Sequence, residues 1–304
     1  MVRPFLPSSF RARLPDFEKR ARAAATEGRP GLNWGLAGLN DALGGAQGMG
    51  IVGGVAGARK TTFLQQVGWS VVRNNLAFFA HFSFEMPPGA IDAYTAAHLA
   101  RIEKFKATGP LYEDPALAKQ LEELTTAAKS FGDRGHTFGL MDAKSVEQVS
   151  EVVDRLRTHL KLDRGLVAID SVHALAVHAG RGSRSERSAL DAVLNELREF
   201  ADSTGVAVLC SAQLTKRGAE LESDFHFAQS AGADYTPDYT ATLVTEREKP
   251  TRAGAVPRPL KSTLHIHKNR FGRENVELEL KYHPAETRFE EAAAATADED
   301  DDDA

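Results

Sequence analysis

The chain has almost no cysteine and lacks long hydrophobic runs. Cys210 is the single cysteine among 304 residues, which excludes an intramolecular disulfide framework and fits a reducing compartment. No stretch approaches the roughly 20 apolar residues of a membrane-spanning helix. The first ten residues also lack the apolar segment of a secretory signal peptide. We therefore expect a cytoplasmic protein that makes no membrane contact.

Acidic charge is concentrated at the C-terminal end. The formal net charge is -5. Residues 290–304 contain eight acids and no base, so without them the net charge changes from -5 to +3. A mildly basic body is compatible with nucleic-acid binding but does not require it. The low-complexity composition predicts that residues 291–304 form a disordered acidic tail.

The N-terminal segment differs from the body in charge. Residues 1–30 contain seven Lys or Arg and three acids, and the glycines and proline of Gly28–Gly31 separate them from the rest. We interpret residues 1–30 as a basic N-terminal arm or linker helix. A solvated leader and an arm that docks on a neighbouring subunit are both compatible with this composition.

Residues 31–290 alternate between strand-like and helix-like segments. Apolar runs predict strands at Met49–Gly53, Leu76–Phe82, His136–Met141, Leu166–Ile169 and Gly205–Cys210. Helical spacing of apolar residues predicts helices at Thr62–Val72, Pro88–Phe105, Val146–Leu160 and Ser185–Phe200. The last part predicts β-ribbons at Tyr239–Val244, Thr263–His267 and Val276–Tyr282. The pattern indicates an α/β domain with a mostly parallel twisted sheet, helices on both faces and a C-terminal antiparallel β extension.

The segment Gly53–Thr62 is the most informative motif. It reads GGVAGARKTT and nearly matches the P-loop pattern G-x-x-x-x-G-K-[ST], in which backbone N–H groups cradle phosphates, the lysine reaches the β- and γ-phosphates and the hydroxyl binds Mg²⁺. An apolar strand precedes it and an amphipathic helix follows, as a P-loop requires. The residues expected to bind a nucleoside triphosphate are Gly54, Gly57, Arg59, Lys60, Thr61 and Thr62.

Arg59 stands where the P-loop pattern has its second glycine. That glycine lets the backbone approach the phosphates without a Cβ atom. An arginine adds local strain if the loop keeps a positive φ, although it can also add a phosphate contact. The sequence leaves both outcomes open, an impaired loop and a reshaped loop.

Three polar residues come directly after predicted strands. Asp170 ends GLVAID and suits a Mg²⁺ ion held through water, although it also suits a cap on the following turn. Glu85, in FSFEMP, suits a general base in phosphoryl transfer or a turn-capping carboxylate. Gln213, in SAQL, suits a contact to the γ-phosphate or attacking water, or a polar strand end. Because ligands bind at the carboxyl ends of parallel strands, we expect these residues and the P-loop to share one site.

Two cations follow the strand at Thr263–His267. Lys268 and Arg270 are two residues apart, so on a strand they point to one face. They suit a pair that projects toward the γ-phosphate of a neighbouring subunit, in the manner of an arginine finger. A solvated hairpin end is the alternative interpretation.

These motifs, in this order, resemble the motor domain of DnaB-type replicative helicases, within the RecA-like P-loop ATPases. The likeness covers roughly residues 31–290. Beside the P-loop, it is carried by GLAGLNDALGG at 35–45, FSFEMP at 82–87, AIDSVHAL at 168–175, SAQL at 211–214 and KNRFG at 268–272.

The resemblance implies an ATP-binding and ATP-hydrolysing DNA helicase or translocase that acts in DNA replication as a ring, a homo-hexamer, on single-stranded DNA. It implies ATP and Mg²⁺ as cofactors, with Thr61 and Asp170 at the metal. The implied catalytic residues are the base Glu85, the γ-phosphate sensor Gln213, and the pair that acts in trans, Lys268 and Arg270.

The chain departs from the family pattern in three places. Arg59 replaces a glycine, Ala228 stands where the segment 223–238 usually carries a DNA-contacting arginine, and residues 1–30 are too short for the family's N-terminal helical domain. We therefore expect a member that consists of the motor domain alone. The alternative is a RecA-, KaiC- or RadA-like nucleotide-binding regulatory or recombination protein with weak or absent ATP turnover.

Overall fold

The computed structural model describes residues 30–101, 115–179, 185–214, 236–247 and 257–292, together with Glu18 and Arg22. Most of the predicted N-terminal arm, Ala228 and most of the acidic tail lie outside these residues. Within the described ranges, no helix combines the length and the apolar character needed to cross a membrane.

The elements follow the predicted alternation of strands and helices. The helices are α1 (Ala37–Leu43), α2 (Lys60–Asn74), α3 (Pro88–Ala100), α4 (Pro115–Phe131), α5 (Val146–Leu160), α6 (Val172–His178) and α7 (Glu186–Thr204). The strands are β1 (Met49–Gly54), β2 (Phe78–Ser83), β3 (Gly135–Phe138), β4 (Gly165–Asp170), β5 (Ala207–Gln213), β6 (Tyr239–Thr245), β7 (Leu260–Asn269), β8 (Val276–His283) and β9 (Arg288–Glu291).

The described strands form one nine-stranded sheet in the order β3-β2-β4-β5-β1-β6-β7-β8-β9. Strands β1 to β6 pair in parallel, whereas β6 to β9 pair antiparallel. The predicted architecture, a mostly parallel sheet with a C-terminal antiparallel extension, is confirmed. The carboxyl ends of β1, β2, β4 and β5 therefore meet at one edge of the sheet.

Successive apolar residues of the central strands supply both faces of the sheet. Ile51 and Phe78 belong to a core formed with α5, α6 and α7. Their neighbours Val52 and Phe79 belong to a second core formed with α1, α2 and the antiparallel strands. All four side chains are buried, which explains why these strands read as continuous apolar runs rather than as alternating ones.

Side-chain caps fix the starts of the helices that cover the sheet. The Ser145 hydroxyl accepts a hydrogen bond from Gln148 N at 3.3 Å, and Gln148 Oε1 accepts one from Lys144 N at 2.7 Å. These two bonds begin α5 and resemble a capping box, with the return bond made to the residue before the N-cap. Ser185 caps α7 in the same way, through Ser188 N at 3.2 Å.

The C-terminal end of the domain extends further than the sequence suggests. Glu291, which the composition assigns to the acidic tail, is the last residue of β9. The Glu291 carboxylate accepts hydrogen bonds from Ala37 N at 3.0 Å and Gly38 N at 2.7 Å. Its charge thereby satisfies the first N–H groups of α1, so this residue is structural although its composition resembles that of the tail.

Strand β9 is fastened to α2 by a buried side chain. Gln66 Nε2 donates to Phe289 O at 2.8 Å, and Phe289 N donates to Gln66 Oε1 at 2.6 Å. The side-chain amide of Gln66 thus makes the two backbone hydrogen bonds that a further strand would otherwise make to Phe289. This contact places the P-loop helix and the C-terminal β extension in one packed unit.

One predicted strand ends early. Strand β3 stops at Phe138 rather than at Met141, because Gly139 begins a turn. Gly139 N donates to the Asp142 carboxylate at 2.8 Å, and Asp142 N donates to Gly139 O at 3.0 Å. Met141 is therefore 93% exposed instead of lying in the sheet.

Candidate active site

The P-loop lies where the sequence places it, between the end of β1 at Gly54 and the start of α2 at Lys60. Gly57 has φ 84° and Arg59 has φ 70°, so the loop turns through two left-handed residues. A Cβ atom on Gly54 would lie 2.8 Å from Ala58 Cβ and 2.9 Å from Leu243 O. The loop therefore requires glycine at position 54, and its backbone curls as phosphate binding demands.

Lys60 lies inside this loop. Its Nζ donates hydrogen bonds to Gly54 O at 2.8 Å and Val55 O at 3.2 Å. Burial lowers the pKa of Lys60, and the nearby carboxylates of Asp170 and Glu85 oppose that shift. The ammonium group therefore lies close to the predicted base Glu85 and to the predicted metal-supporting Asp170, at the positive end of α2.

Asp170 is the centre of the hydrogen-bond network at the site. Thr61 Oγ1 donates to Asp170 Oδ2 at 2.6 Å, and Ser211 Oγ donates to Asp170 Oδ1 at 2.5 Å. The residue is only 5% exposed, and its peptide bond to Ser171 is cis. Two hydroxyl donors, one on each oxygen, fix the orientation of a carboxylate that would otherwise be costly to bury.

The residues around Asp170 fit a magnesium ion. Thr61 and Asp170 present adjacent hard oxygen atoms, which are the ligands that Mg²⁺ prefers. Among the described residues, no group of three or more His, Cys, Asp or Glu side chains forms a dedicated metal cage. Mg²⁺ is usually held by one or two protein oxygens plus phosphates and water, and Thr61 and Asp170 can supply two such oxygens.

The alternative role of Asp170, a cap on the following turn, is taken by its neighbour. Ser171 Oγ accepts a hydrogen bond from Ala174 N at 3.4 Å and begins α6. The same hydroxyl donates to Glu85 Oε1 at 2.5 Å. Ser171 therefore links the segment after β4 to the segment after β2, and places Glu85 beside Asp170.

The remaining predicted residues of this edge lie close by. Glu85 is exposed two residues beyond β2. Gln213 is exposed at the end of β5, in register with Gly54. Thr62 is buried in the first turn of α2. The sequence prediction that these residues share one sheet edge with the P-loop agrees with their positions, and their chemical roles stay predictions.

The side chain of Arg59 extends from the P-loop toward the antiparallel strands of the sheet. Its guanidinium carbon lies 5.2 Å from the centre of the Tyr282 ring on β8. Strand β8 lies on one side of β1 in the sheet, whereas β4 and β2, with Asp170 and Glu85, lie on the other. The positive φ that makes arginine costly here is present. The side chain nevertheless extends away from the two acids.

Lys268 and Arg270 lie at the opposite edge of the sheet. Asn269, which separates them, pairs with Tyr239, and Tyr239 pairs with Gly50 near the start of β1. From Gly50 to Gly54, β1 rises by about 13 Å. The two cations therefore lie at the amino ends of the parallel strands, and the P-loop of the same chain lies at their carboxyl ends.

Both cations are held against the turn that precedes β6. Lys268 Nζ donates to Pro237 O at 2.8 Å. Arg270 lies 3.6 Å from the buried carboxylate of Asp238, which also pairs with Arg198 at 2.5 Å. Arg270 keeps 48% of its side chain exposed. Both side chains are thus anchored, and that of Arg270 remains accessible to another molecule.

Several residues of the site are absent from the sequence-based prediction. Ser171 and Ser211 orient the two acids, and their signal was their place beside Asp170 and Gln213 in the motifs. His81 and Gln65 form a buried pair beside Asp170. The ring of Tyr282 packs against the guanidinium group of Arg59. No motif in the sequence marks His81, Gln65 or Tyr282 as part of the site, because the site residues that they contact are distant in the sequence.

The fold and the site together define a RecA-like P-loop ATPase domain. Residues 31–291 match the family described as DnaB-like helicase C terminal domain. This match spans most of the chain, so the protein belongs to that family. A comparison with curated protein sequences found no match.

Solved structures share the fold at low sequence identity. One of them, described as an ATPase domain, is 15% identical with a TM-score of 0.77, over 95% of this chain and 100% of that chain. A DnaB-like replicative helicase, described with its interactions with primase, is 15% identical with a TM-score of 0.72, over 93% of this chain and 67% of that chain. A KaiC-like protein from the hyperthermophilic archaeon Pyrococcus horikoshii OT3 is 14% identical with a TM-score of 0.56, over 86% and 98%.

Proposed function

We propose that this protein is an ATP-hydrolysing DNA helicase or translocase that acts in DNA replication as a ring, a homo-hexamer, on single-stranded DNA in the cytoplasm. Membership of the DnaB-like family supports the activity class. In this proposal residues 31–291 form the motor domain, residues 1–30 an N-terminal arm, and the acidic segment beyond Glu291 a tail.

The observation that carries the proposal is the separation of the site into two halves. The P-loop, Asp170 and Glu85 lie at the carboxyl edge of the sheet, whereas Lys268 and Arg270 lie at its amino edge. Neither half reaches the other within one chain. A head-to-tail arrangement of copies brings the two edges together at each interface, and such an arrangement closes into a ring when the rotation permits.

Within the first half, each residue has a position that suits its proposed task. Lys60 and the backbone N–H groups of the P-loop hold the phosphates of ATP. Thr61 and Asp170 hold Mg²⁺, which supplies charge neutralisation for the transferred phosphoryl group. Glu85 takes the proton of the attacking water, and Ser171 keeps the Glu85 carboxylate oriented. Gln213 contacts the γ-phosphate from the neighbouring strand.

The second half completes the site from the adjacent subunit. Lys268 and Arg270 bring positive charge to the γ-phosphate as it leaves, which is the role of an arginine finger. Their anchoring to Pro237 and Asp238 positions them before the subunits meet. This pre-positioning reduces the side-chain entropy lost when the interface forms.

Arg59 supports one alternative, a nucleotide-binding regulatory or recombination protein with weak or absent turnover. Its left-handed backbone adds strain in a loop where a glycine is expected. The orientation of its side chain toward Tyr282 argues for a reshaped loop instead, since the cradle keeps its left-handed turn and Lys60 and Thr61 keep their places.

The direct test is ATP hydrolysis with and without single-stranded DNA, for the wild type and for Glu85→Gln. We expect DNA-stimulated hydrolysis by the wild type. The Glu85→Gln variant should lose most turnover, at least about 100-fold, and should keep its ATP affinity. Wild-type protein that binds ATP without hydrolysing it would support the regulatory alternative. Equal turnover in the variant would remove Glu85 as the base.

A further inference from the structure

Next to Asp170, between the P-loop helix α2 and strand β2, lies a polar network in an otherwise apolar part of the core. His81 on β2 and Gln65 on α2 are 0% and 1% exposed. His81 Nε2 lies 3.8 Å from Asp170 Oδ2, and Gln65 Nε2 contacts His81 Nδ1. Buried polar side chains without a role are costly, so this pair calls for an explanation.

The network fixes which atoms carry protons. Trp69 Nε1 approaches Gln65 at 3.1 Å, and an indole N–H can only donate. The Gln65 atom that faces Trp69 must therefore be oxygen, and Thr95 Oγ1 donates to the same oxygen at 2.9 Å. It follows that the amide nitrogen of Gln65 faces His81, and that Nδ1 of His81 accepts a hydrogen bond.

An imidazole whose Nδ1 accepts carries its proton on Nε2 when it is neutral. Because Nδ1 accepts from the Gln65 amide, it carries no proton, so the fully buried ring is neutral. The protonated nitrogen of the ring is therefore the one that lies nearest to Asp170 Oδ2. At 3.8 Å this is a charge–dipole contact rather than a full hydrogen bond, and among the described residues Nε2 has no hydrogen-bond partner.

We propose that His81 is a positioning residue for Asp170, whose carboxylate it holds through an Nε2–H dipole that Gln65 orients. The proposal rests on the proposed function, in which Asp170 supports Mg²⁺. A neutral N–H group stabilises the buried carboxylate without adding a positive charge that would repel the metal. Partners of this kind, one layer behind a metal-supporting residue, tune metal affinity.

The same network connects the metal side of the site to the helix that follows Glu85. Thr95 lies on α3, which begins three residues after Glu85. Through Thr95, Gln65 and His81, the position of α3 is tied to the orientation of Asp170. Two routes therefore connect the segment of Glu85 to Asp170. One is the hydrogen bond from Ser171 to Glu85, and the other is the chain Thr95, Gln65 and His81.

The first test is the tautomer of His81 in the full-length protein, read from nitrogen chemical shifts of ¹⁵N-histidine-labelled samples. We expect protonated Nε2 and unprotonated Nδ1 in the wild type. Gln65→Met removes the donor to Nδ1 and should shift the ring toward the other tautomer. Asp170→Asn should move the Nε2 resonance. A wild-type ring protonated on Nδ1 would overturn the proposal.

The second test is the Mg²⁺ concentration that gives half of the thermal stabilisation by a non-hydrolysable ATP analogue. His81→Leu and Gln65→Met should each raise this concentration by about tenfold, which is the lower end of the loss in metal affinity when a residue that orients a metal ligand is removed. In His81→Gln the amide nitrogen substitutes for Nε2, so the Mg²⁺ concentration should stay within about twofold of the wild-type value. His98→Leu is the matched control, because that histidine has Arg73, Arg288 and Arg101 as its charged neighbours, and it should change nothing.

The outcomes separate this proposal from the proposed function. A wild type without any Mg²⁺-dependent nucleotide binding contradicts the proposed function, and the tautomer spectrum still decides the role of His81. A His81→Leu variant with wild-type Mg²⁺ dependence overturns the proposal, as does an equal defect in the Gln and Leu variants. If His81→Leu fails to fold, the Mg²⁺ dependence of Gln65→Met and the nitrogen chemical shifts of His81 test the proposal instead.

Discussion

Arg59 combines a strained backbone with a cation–π contact, and substitutions can separate the two effects. Its φ is 70°, in a region that costs a residue with a Cβ atom about 1 kcal/mol or more. Its guanidinium lies 5.2 Å from the Tyr282 ring centre. A contact of this kind, partly withdrawn from water, contributes about 0.5–2 kcal/mol. The contact therefore offsets part or all of the strain.

These magnitudes predict an order of stability. Arg59→Ala keeps the strained backbone and loses the contact, so the free energy of unfolding should fall by about 0.5–2 kcal/mol. Arg59→Gly loses the same contact but relieves the strain. The glycine variant should therefore be more stable than the alanine variant by about 1 kcal/mol.

The assay is urea unfolding followed by tryptophan fluorescence, arranged as a double-mutant cycle of Arg59→Ala and Tyr282→Leu. The coupling energy should be about 0.5–2 kcal/mol. Arg73→Ala is the matched control, because Arg73 is an exposed arginine of α2 whose own ring contact, 5.9 Å from the Phe131 ring centre, does not involve Tyr282. A coupling energy below about 0.3 kcal/mol, or an alanine variant more stable than the glycine variant, would refute the reasoning.

The same variants test whether the side chain of Arg59 binds phosphate. If it packs on Tyr282 in the working protein, both variants should bind ATP within about threefold of the wild type. A side chain that donates charge-assisted hydrogen bonds to phosphate would instead cost about tenfold or more when removed. That larger loss in both variants would show that Arg59 turns toward the nucleotide.

Two further predictions concern the C-terminal end. Gln66→Leu leaves the buried N–H and C=O groups of Phe289 unpaired and should destabilise the protein by about 1–3 kcal/mol in urea unfolding; an unchanged midpoint would contradict the role of Gln66 in holding β9. Deletion of residues 293–304 removes six acids and keeps the Glu291 cap. If the tail competes with DNA for basic surface, the deletion should tighten single-stranded DNA binding at low salt and have no effect at high salt, and an effect independent of salt would contradict that competition.

The sequence was sufficient to predict the sheet and the edge where the site lies. Gly54, Asp170 and Gln213 each end an apolar run that is buried on both faces, and such runs are the clearest strand signal in a chain of this kind. Parallel strands between helices leave little freedom in where their carboxyl ends meet. The position of the predicted site therefore followed from local patterns alone.

Short elements and long-range contacts could not be predicted in the same way. Helices α1 and α6 have seven residues each and β9 has four, too few for periodicity to distinguish them from loops. Helix α4 is different, because Leu117, Leu121 and Leu124 repeat at helical spacing and were available as a signal. Glu291 reads as tail by composition, and only the N–H groups of α1 reveal its structural role.

The contacts of Arg59 and His81 show a second limit. Arg59 meets Tyr282 only because the C-terminal end of β8 lies at the same edge of the sheet as the P-loop, separated from β1 by two strands. His81 interrupts an apolar strand, and in the sequence alone it has no visible partner. Its meaning depends on Gln65 and Asp170, which reach it from a helix and from a neighbouring strand.

The central claim is that two subunits build each ATP site, and mixing two inactive variants tests it most directly. Glu85→Gln disables the P-loop half and Arg270→Ala disables the opposite half. If sites form in trans, random mixing restores roughly one complete site in four. Mixing Glu85→Gln with Lys60→Ala places both defects on the same half and should restore none. DNA-stimulated hydrolysis that recovers only in the first mixture is the predicted result. No recovery, or equal recovery in both mixtures, would contradict the shared site.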